Sequence, residues 1–377
     1  MNIIPELNLG VWSLLFYIFC GMVFFQFLYT FIYYARLAFY KEKKDLSKEL
    51  PPLSVIIAAR NEADNIYENL PFILTQDYPK FEVIVVVNQS IDESKYILDA
   101  YQQQYKNLKF TIVEKNKHLR PGKKLSLSIG IKAAKYEHLV MTDADCRPAS
   151  QNWLKEIGGK YSEKNKIVLG YGPYSKEKGF LNKIIRYDTS WIAINYLSFA
   201  LAKMPYMGIG RNLAYTKSTY NQVNGFKSHY SIASGDDDLF IQEAAKNKNY
   251  TIAISSDSFM YSPAEKTWSS WFRQKSRHYT TSPSYQVIKK LMLGIYPLSL
   301  LIMYFSFVTL LFNEDFRWLS LILFGVVLSL KWWIQGKCFL KLNEKSFVAM
   351  FPINDFLYAV CSPILYFTRE EKTTNKW

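Results

Sequence analysis

Two groups of aspartates have the residue type and spacing for metal binding and proton transfer. Asp143 and Asp145 lie one residue apart, directly after the apolar run 138–142, and Asp236, Asp237 and Asp238 are consecutive. The first pair could hold a divalent cation through carboxylate oxygens and leave coordination positions open for a diphosphate. In the second group a carboxylate could act as a general base, because neighbouring carboxylates raise one another's pKa. The alternative for this group is an acidic helix start, where Asp is favoured.

Basic residues that could face phosphate occur at two further places. The segment 121–124 reads Pro-Gly-Lys-Lys, for which a phosphate-facing loop containing Lys123 and a solvated turn both remain open. Its spacing does not fit a P-loop, which requires Gly-Lys-Ser/Thr after a longer glycine stretch. Arg277 could pair with a diphosphate or form a salt bridge at a membrane surface.

Alternating strands and helices are predicted to position these residues. Between residues 50 and 285, amphipathic stretches near 62–75, 91–105 and 124–134 alternate with short apolar runs at 54–59, 82–87, 109–113 and 138–142. This alternation favours an α/β domain with a doubly wound, mostly parallel sheet. Ligands of such sheets bind at the carboxyl ends of the strands. The polar clusters 60–62, 88–90 and 143–145 each follow a strand, so they are predicted to share one site.

The composition limits the class of protein. The 377 residues suffice for two average domains, or for one domain plus membrane segments. A net charge of +14 suits nucleic acid, anionic lipid or phosphorylated substrates. No nucleic-acid motif appears and the positive charge is spread along the chain, so no nucleic-acid partner is expected. The four cysteines form no CxxC pair, which argues against a disulfide framework or a structural zinc site.

Apolar segments flank the predicted α/β domain on both sides. A helix needs about 20 apolar residues to cross a bilayer, and transmembrane helices are predicted at 7–35, 291–312 and 318–335. The third is interrupted by Lys331, which we expect to snorkel to an interface. The segment 346–368 carries Asp355 and two prolines, and both a transmembrane and an interfacial helix remain open for it.

The Lys/Arg flanks of these segments predict their orientation. Basic residues follow the first segment at 36–48, precede the second at 289–290 and follow the third at 337–345, whereas the turn 313–317 has little positive charge. We therefore expect a multi-pass protein of the cell membrane with residues 50–285 in the cytoplasm and the turn outside.

The order of the motifs resembles inverting glycosyltransferase family 2, in its membrane-bound, synthase-like form. The matching pieces span residues 51–278, about three fifths of the chain, and read PPLSVIIAARNEADNI, FEVIVVVNQSIDES, GKKLSLSIGIKAA, HLVMTDADCRP, GIGRNLAYTKS, SGDDDLF and QKSRH. The resemblance implies a GT-A nucleotide-sugar-binding fold, with a mixed, mostly parallel sheet over residues 50–285.

The resemblance also implies a role for each matching position. The expected donor-binding residues, which include the basic residues Lys123 and Arg277 named above, are Ala58, Arg60, Glu62, Asn88, Lys123, Asp143, Gln274 and Arg277. The acceptor side would include Gly210, Arg211, Asn212 and His278. Asp145 and Asp143 would hold Mg²⁺ or Mn²⁺. The base would be Asp237 if Asp236-Asp237 fills the family's Glu-Asp pair, and Asp236 if the alignment is made on Leu239.

Two positions depart from the family's pattern. Asn88 stands where an Asp is usual; its carbonyl can accept a hydrogen bond from a base N–H, but its amide adds a donor. A UDP-sugar is the first expectation, and the added donor of Asn88 weakens the preference for uracil and leaves a GDP-sugar as the alternative. The segment 274–278 resembles the QxxRW signature with His278 in place of Trp, a residue associated with the acceptor site of processive polymerases. Processive and single transfer both remain open.

These features predict a membrane-bound inverting glycosyltransferase of the hexosyltransferase type. It would move a sugar from a nucleotide-sugar donor to a lipid, lipid-linked or polysaccharide acceptor. The reaction requires a Lewis acid for the leaving diphosphate and a base for the acceptor hydroxyl, and the two aspartate groups fit these needs. The alternative is a catalytically degenerate membrane scaffold with a transferase-like domain, which only Asn88-Gln89 supports.

Overall fold

The structure of the protein is a computed structural model, which describes residues 10–42, 49–116 and 122–367. The chain divides into two compact units: residues 41–285 form an α/β unit, and residues 10–40 with 286–367 form a helical unit. Some predicted features lie outside the described residues. These are the ends of the outer membrane segments at 7–9 and 368, part of the basic flank at 43–48, and Pro121.

Strands of the α/β unit are numbered in chain order. They are β1 Leu53–Ala59, β2 Phe81–Asn88, β3 Leu108–Val113, β4 His138–Asp143, β5 Arg147–Pro148, β6 Ile167–Gly170, β7 Leu213–Thr216, β8 Tyr250–Ala253 and β9 Met260–Tyr261. Within the described residues, seven of them form one sheet in the order β3-β2-β1-β4-β7-β6-β8. Strands β1 to β4 are parallel, β7 is antiparallel to both β4 and β6, and β8 is parallel to β6. The predicted mixed, mostly parallel sheet is confirmed.

Helices of both units are likewise numbered in chain order. They are α1 Val11–Tyr29, α2 Ala35–Ala38, α3 Ala63–Leu74, α4 Ser94–Gln104, α5 Lys123–Ala133, α6 Trp153–Gly158, α7 Phe180–Leu201, α8 Lys217–Gln222, α9 Asp238–Ala244, α10 Trp268–Tyr279, α11 Val287–Leu310, α12 Glu314–Lys341, α13 Ser346–Ala349 and α14 Phe351–Phe367.

Helices cover the central strands of the sheet, and this explains their apolar sequence. Every residue of β1 is buried, as expected for a parallel strand with both faces covered. Helix α5 packs closely, because a Cβ atom added at Gly130 would lie 2.5 Å from Ile56 Cγ2. The register places Ala58 of β1 opposite Val86 of β2 and Asp143 of β4, so the carboxyl ends of these strands lie side by side.

Three helices in the described part of the helical unit are long and apolar enough to cross a membrane. They are Val11–Ala38, which combines α1, a π-helical turn and α2, together with Val287–Leu310 and Glu314–Lys341. The last one begins earlier than the predicted segment 318–335, because Asn313 Oδ1 accepts hydrogen bonds from the backbone N–H groups of Asp315 and Phe316. The predicted segment 346–368 is divided into α13 and the 17-residue helix α14.

A buried ion pair joins α12 to α14 inside the helical unit. Lys331 Nζ lies 2.7 Å from Asp355 Oδ2, and both side chains are almost completely buried. The hydroxyl groups of Tyr304 and Tyr296 donate to the same carboxylate at 3.3 and 3.4 Å. The expectation that Lys331 snorkels to an interface is wrong, since a carboxylate on a neighbouring helix satisfies its charge inside the bundle.

Candidate active site

The loops after β1 and β2 form one wall of the site and are tied to each other. The backbone N–H of Asn61 donates to Ser90 Oγ, and the side-chain Oδ1 of Asn61 accepts from Ile91 N, both at 2.9 Å. Asn61 has a positive φ of 54°, which asparagine tolerates better than most residues. Asp92 of the second loop accepts from Ala63 N at 2.8 Å and so satisfies the first turn of α3. These hydrogen bonds hold together the two loops that carry the predicted donor-binding residues.

The predicted donor-binding residues of this wall differ in burial. Ala58 is buried and Arg60 is half-buried. Glu62 is also half-buried, and burial together with the charges of Asp145 and Asp143 raises its pKa. Asn88 is fully buried, and its Nδ2 donates to Gly122 O at 3.3 Å. Its Oδ1 finds no partner among the described residues, so it is left as an acceptor for a ligand N–H.

The two aspartates after β4 form a group that could hold a metal ion. Asp143 is the last residue of β4, and ligand atoms of Asp143, Asp145 and Cys146 lie within 4.8 Å of one another. Burial, and then the charge of Asp143, raises the pKa of Asp145, a pattern that a bound cation would reverse. Burial also raises the pKa of the Cys146 thiol, which donates to Asp145 Oδ1 at 3.2 Å. The two carboxylates therefore suit an oxygen-preferring ion such as Mg²⁺ or Mn²⁺.

Lys123, the first residue of α5, connects this metal group to the second aspartate group. Its Nζ lies 2.6 Å from Asp143 Oδ1 and 3.4 Å from Asp236 Oδ2. Burial opposes the charge of this amine, but Asp143 and then Asp236 outweigh it and raise the pKa of Lys123. The predicted phosphate-facing lysine is therefore charged and lies between the two groups of carboxylates.

The three consecutive aspartates have different surroundings. Asp237 caps α9: its Oδ1 accepts from Asp238 N at 2.7 Å, and its Oδ2 accepts from Gly210 N at 2.8 Å. Burial, and then the charges of Asp236 and Asp238, raises the pKa of Asp237 to about 7. Asp238 accepts from the hydroxyls of Thr281 and Tyr285. Asp236 is the member that faces Lys123. The sequence offered a helix start and a base as alternatives for this group, and the structure places it at the start of α9.

The segment Gly210–Asn212 is a short 3-10 turn directly before β7. A Cβ atom at Gly210 would lie 3.0 Å from Lys123 Nζ and 3.3 Å from Asp236 Oδ2, so the glycine leaves room for these side chains. Arg211 donates to Gly172 O at 2.9 Å and stacks on the ring of Tyr174 at 4.3 Å. Asn212 is buried, and its side chain accepts from Trp153 Nε1 and donates to two backbone carbonyl groups, those of Tyr171 and Ser258.

Helix α10 carries the predicted residues Gln274, Arg277 and His278. Gln274 Oε1 accepts from Tyr174 OH at 3.2 Å. Arg277 is half-buried. Desolvation by the surrounding protein, and then the charges of Arg277 and Lys275, lowers the pKa of His278, although its side chain reaches solvent. This direction favours the neutral imidazole, which can both accept and donate a hydrogen bond.

Sequence reasoning missed two groups that hold these residues in place. Tyr174 contacts both Arg211 and Gln274 and thus joins two predicted parts of the site. The buried Lys275 pairs with Asp188 of α7 at 2.7 Å and anchors α10. Lys275 stands inside the QKSRH segment, but nothing in the sequence identifies Asp188 as its partner, which is 87 residues away.

The known proteins that this chain resembles include several glycosyltransferases. A model of the family described as glycosyl transferase family 2 matches residues 54–225. The chain is similar to the probable glycosyltransferase YdaM of Bacillus subtilis (strain 168), with 27% identity over 251 residues, covering 64% of this chain and 57% of that protein. It is also similar to the poly-beta-1,6-N-acetyl-D-glucosamine synthase of Staphylococcus epidermidis, with 29% identity over 102 residues, 27% of this chain and 24% of that protein. The matches thus span a quarter to somewhat over half the length of these relatives.

Among solved structures, one with a similar fold covers almost the whole chain. It is the mannosyltransferase PcManGT from Pyrobaculum calidifontis, in complex with GDP-Man and Mn²⁺. The TM-score is 0.54 at 18% identity, and the match covers 92% of this chain and 99% of that one. This likeness confirms the expected GT-A-like fold.

Proposed function

We propose that the protein is a membrane-bound inverting glycosyltransferase, because the model of glycosyl transferase family 2 matches residues 54–225. It would move a sugar from a nucleotide-sugar donor to a lipid, lipid-linked or polysaccharide acceptor. The observation that carries this proposal is the contact of Lys123 with Asp143 on one side and Asp236 on the other. Lys123 therefore contacts both the aspartate proposed to serve the leaving diphosphate and the aspartate proposed to serve the acceptor hydroxyl.

The donor side consists of the strand ends of β1, β2 and β4. Asn88 Oδ1 would accept the ring N–H of the nucleobase, because its Nδ2 already donates to Gly122 O. Uracil and guanine each carry one ring N–H that could donate to this acceptor, so the contact fits either nucleotide. The resemblance of the motifs keeps a UDP-sugar as the first candidate. A GDP-sugar is the second candidate, since the mannosyltransferase of similar fold binds GDP-Man. Arg60, Lys123 and Arg277 would supply positive charge for the diphosphate.

Asp143 and Asp145 would hold the divalent ion. When bound, Mg²⁺ or Mn²⁺ acts as a Lewis acid that neutralises charge on the diphosphate. Glu62 borders the same region, and burial together with the charges of these two aspartates raises the pKa of its carboxyl group.

Asp236 is the better candidate for the general base. Both carboxylate oxygens of Asp237 already accept backbone N–H groups, from Asp238 and Gly210. Asp236 instead has Oδ2 beside the Lys123 amine, which can be drawn away by phosphate. It would take the proton of the acceptor hydroxyl as that oxygen attacks the anomeric carbon, while the diphosphate leaves on the opposite face. Such a single displacement inverts the configuration at the anomeric carbon.

The acceptor is proposed to be a lipid, a lipid-linked sugar or a growing polysaccharide. The three helices of membrane-spanning length support a membrane location, and the poly-N-acetylglucosamine synthase among the relatives supports a glycan product. The Lys/Arg flanks support a cytoplasmic α/β unit in a multi-pass protein. Gly210, Arg211, Asn212 and His278 would border the acceptor.

A donor panel tests this function. Full-length protein in detergent is incubated with UDP- and GDP-linked hexoses and N-acetylhexosamines, with Mn²⁺, Mg²⁺ or a chelator, and the released nucleoside diphosphate is measured. We expect release from at least one donor that depends on a divalent ion. Binding of nucleotide without release or transfer from any donor would favour the degenerate scaffold instead.

A further inference from the structure

The Lys123 amine contacts Asp143 at the side where this proposed metal ligand would contact the ion. It lies 2.6 Å from Asp143 Oδ1, and Asp143 belongs to the group of ligand atoms that lie within 4.8 Å of one another. The Lys123 side chain is only 17% exposed. Gly210 closes it in on the other side, since a Cβ atom there would lie 3.0 Å from Nζ. An ammonium group so enclosed opposes any second cation at Asp143, because like charges repel at this range.

A nucleoside diphosphate would change this balance. Its phosphate oxygens compete with Asp143 and Asp236 for the ammonium group, and they also supply ligands for a divalent ion. In the protein without nucleotide, Lys123 already compensates both carboxylates. With the diphosphate present, the same positive charge can serve the phosphates, and Asp143 regains the negative charge that attracts a metal.

We propose that Lys123 fills the cation position beside Asp143 until a nucleoside diphosphate arrives, so that the divalent ion binds tightly only together with the donor. The inference rests on the proposed function. When the Lys123 amine turns to the phosphates, Asp236 loses the partner that lies 3.4 Å from its Oδ2. Its carboxylate is then available to the acceptor hydroxyl. One amine thereby links arrival of the donor to both metal binding and availability of the base.

Direct measurement of Mn²⁺ binding tests the proposal without using turnover. The signal of free Mn²⁺ in electron paramagnetic resonance is titrated with full-length protein in detergent, alone and with UDP or GDP. The variants are Lys123→Gln and Lys123→Met, which remove the charge but keep a long side chain. Lys132→Gln is the matched control, because Lys132 is an exposed lysine at the other end of α5. Thermal denaturation confirms that each variant is folded.

The wild type and the Lys132 control should bind Mn²⁺ weakly alone and about tenfold or more tightly with the nucleotide, the size of effect that one adjacent charge has on a carboxylate. Lys123→Gln should bind Mn²⁺ about tenfold more tightly than wild type without nucleotide, and adding Asp143→Asn should abolish that gain. An unchanged or weaker affinity for Mn²⁺ in both folded Lys123 variants would overturn the inference. Nucleotide-dependent Mn²⁺ binding by the wild type would then still agree with the proposed function. If neither nucleotide binds to the wild type with Mn²⁺ present, the proposed function itself fails.

Discussion

Replacing Asp236 and Asp237 separately by Asn should produce two different defects. Asp236→Asn removes the proposed base, and general-base catalysis contributes about 10²- to 10⁴-fold to a rate, or about 3–5 kcal/mol of transition-state stabilisation. The side chain keeps its size and is not needed for a backbone hydrogen bond that the structure shows. We therefore expect turnover to fall by this factor while nucleotide binding changes by no more than a few fold, since deprotonation matters in the transition state.

Asp237→Asn should act mainly on stability. The carboxylate accepts two backbone N–H groups, from Gly210 at 2.8 Å and from Asp238 at 2.7 Å. An amide has one acceptor oxygen, so one buried N–H loses its partner at a cost of about 1–3 kcal/mol. In a domain of this size each kcal/mol lowers the melting temperature by about 2–4 °C. Turnover should stay within about tenfold of wild type.

The stability defect of Asp237→Asn should depend on pH. The folded-state pKa of Asp237 is raised to about 7, above the value of an unfolded Asp, so the folded protein binds the proton more strongly. This contribution to wild-type stability is present at low pH and is lost as pH rises through 7. The difference in melting temperature between wild type and variant should therefore be larger at pH 5.5 than at pH 8.

Single-turnover transfer with saturating donor, nucleotide binding by calorimetry and thermal denaturation at both pH values measure these effects. Asp238→Asn serves as a control for the acidic cluster, because Asp238 is bound to Thr281 and Tyr285 rather than to Lys123. Loss of transfer in a folded Asp237→Asn variant, with Asp236→Asn near the wild-type rate, would refute the assignment and make Asp237 the base. Wild-type rates in both variants would place the base elsewhere.

Three further predictions concern the metal group and the helical unit. Asp145→Asn should greatly reduce turnover at saturating donor and weaken nucleotide-dependent Mn²⁺ binding; wild-type activity that persists in chelator would exclude the metal role. Asp355→Ala leaves Lys331 buried without its partner at 2.7 Å and should destabilise the detergent-solubilised protein by about 3–5 kcal/mol, whereas the double variant Lys331→Met/Asp355→Leu should recover much of the lost melting temperature. In a background without native cysteines, an impermeant thiol reagent applied to intact cells should label a cysteine at position 314 but not one at position 117, and the reverse pattern would overturn the predicted orientation.

The parts of the site that depend on strand ends could be predicted from the sequence. The runs 54–59, 82–87 and 138–142 lie within β1, β2 and β4, and the clusters that follow them meet because parallel strands end at the same edge. Long β-branched runs are recognisable, and their geometry leaves little choice about where the next residues lie.

Contacts made across long sequence distances could not be predicted in the same way. Lys123 and Asp236 lie together because β7 pairs with β4 and the turn before β7 holds Asp237, whose neighbour is Asp236, through Gly210 N. Strand β7 has four residues without a distinctive pattern. Lys331 was expected at an interface because its partner, Asp355, is 24 residues away on another helix. A sequence shows the charge of such a residue but not the neighbour that compensates it.

The anomeric configuration of the first product tests the central claim most directly. Full-length protein is supplied with an α-linked donor found active in the panel and with Mn²⁺, and the sugar released to water or to an acceptor is followed by proton nuclear magnetic resonance before mutarotation. A single displacement, with Asp236 as the base on the face opposite the diphosphate, predicts the β-anomer as the initial product and its loss in Asp236→Asn. An initial α-anomer would contradict the inverting mechanism and the role assigned to this aspartate.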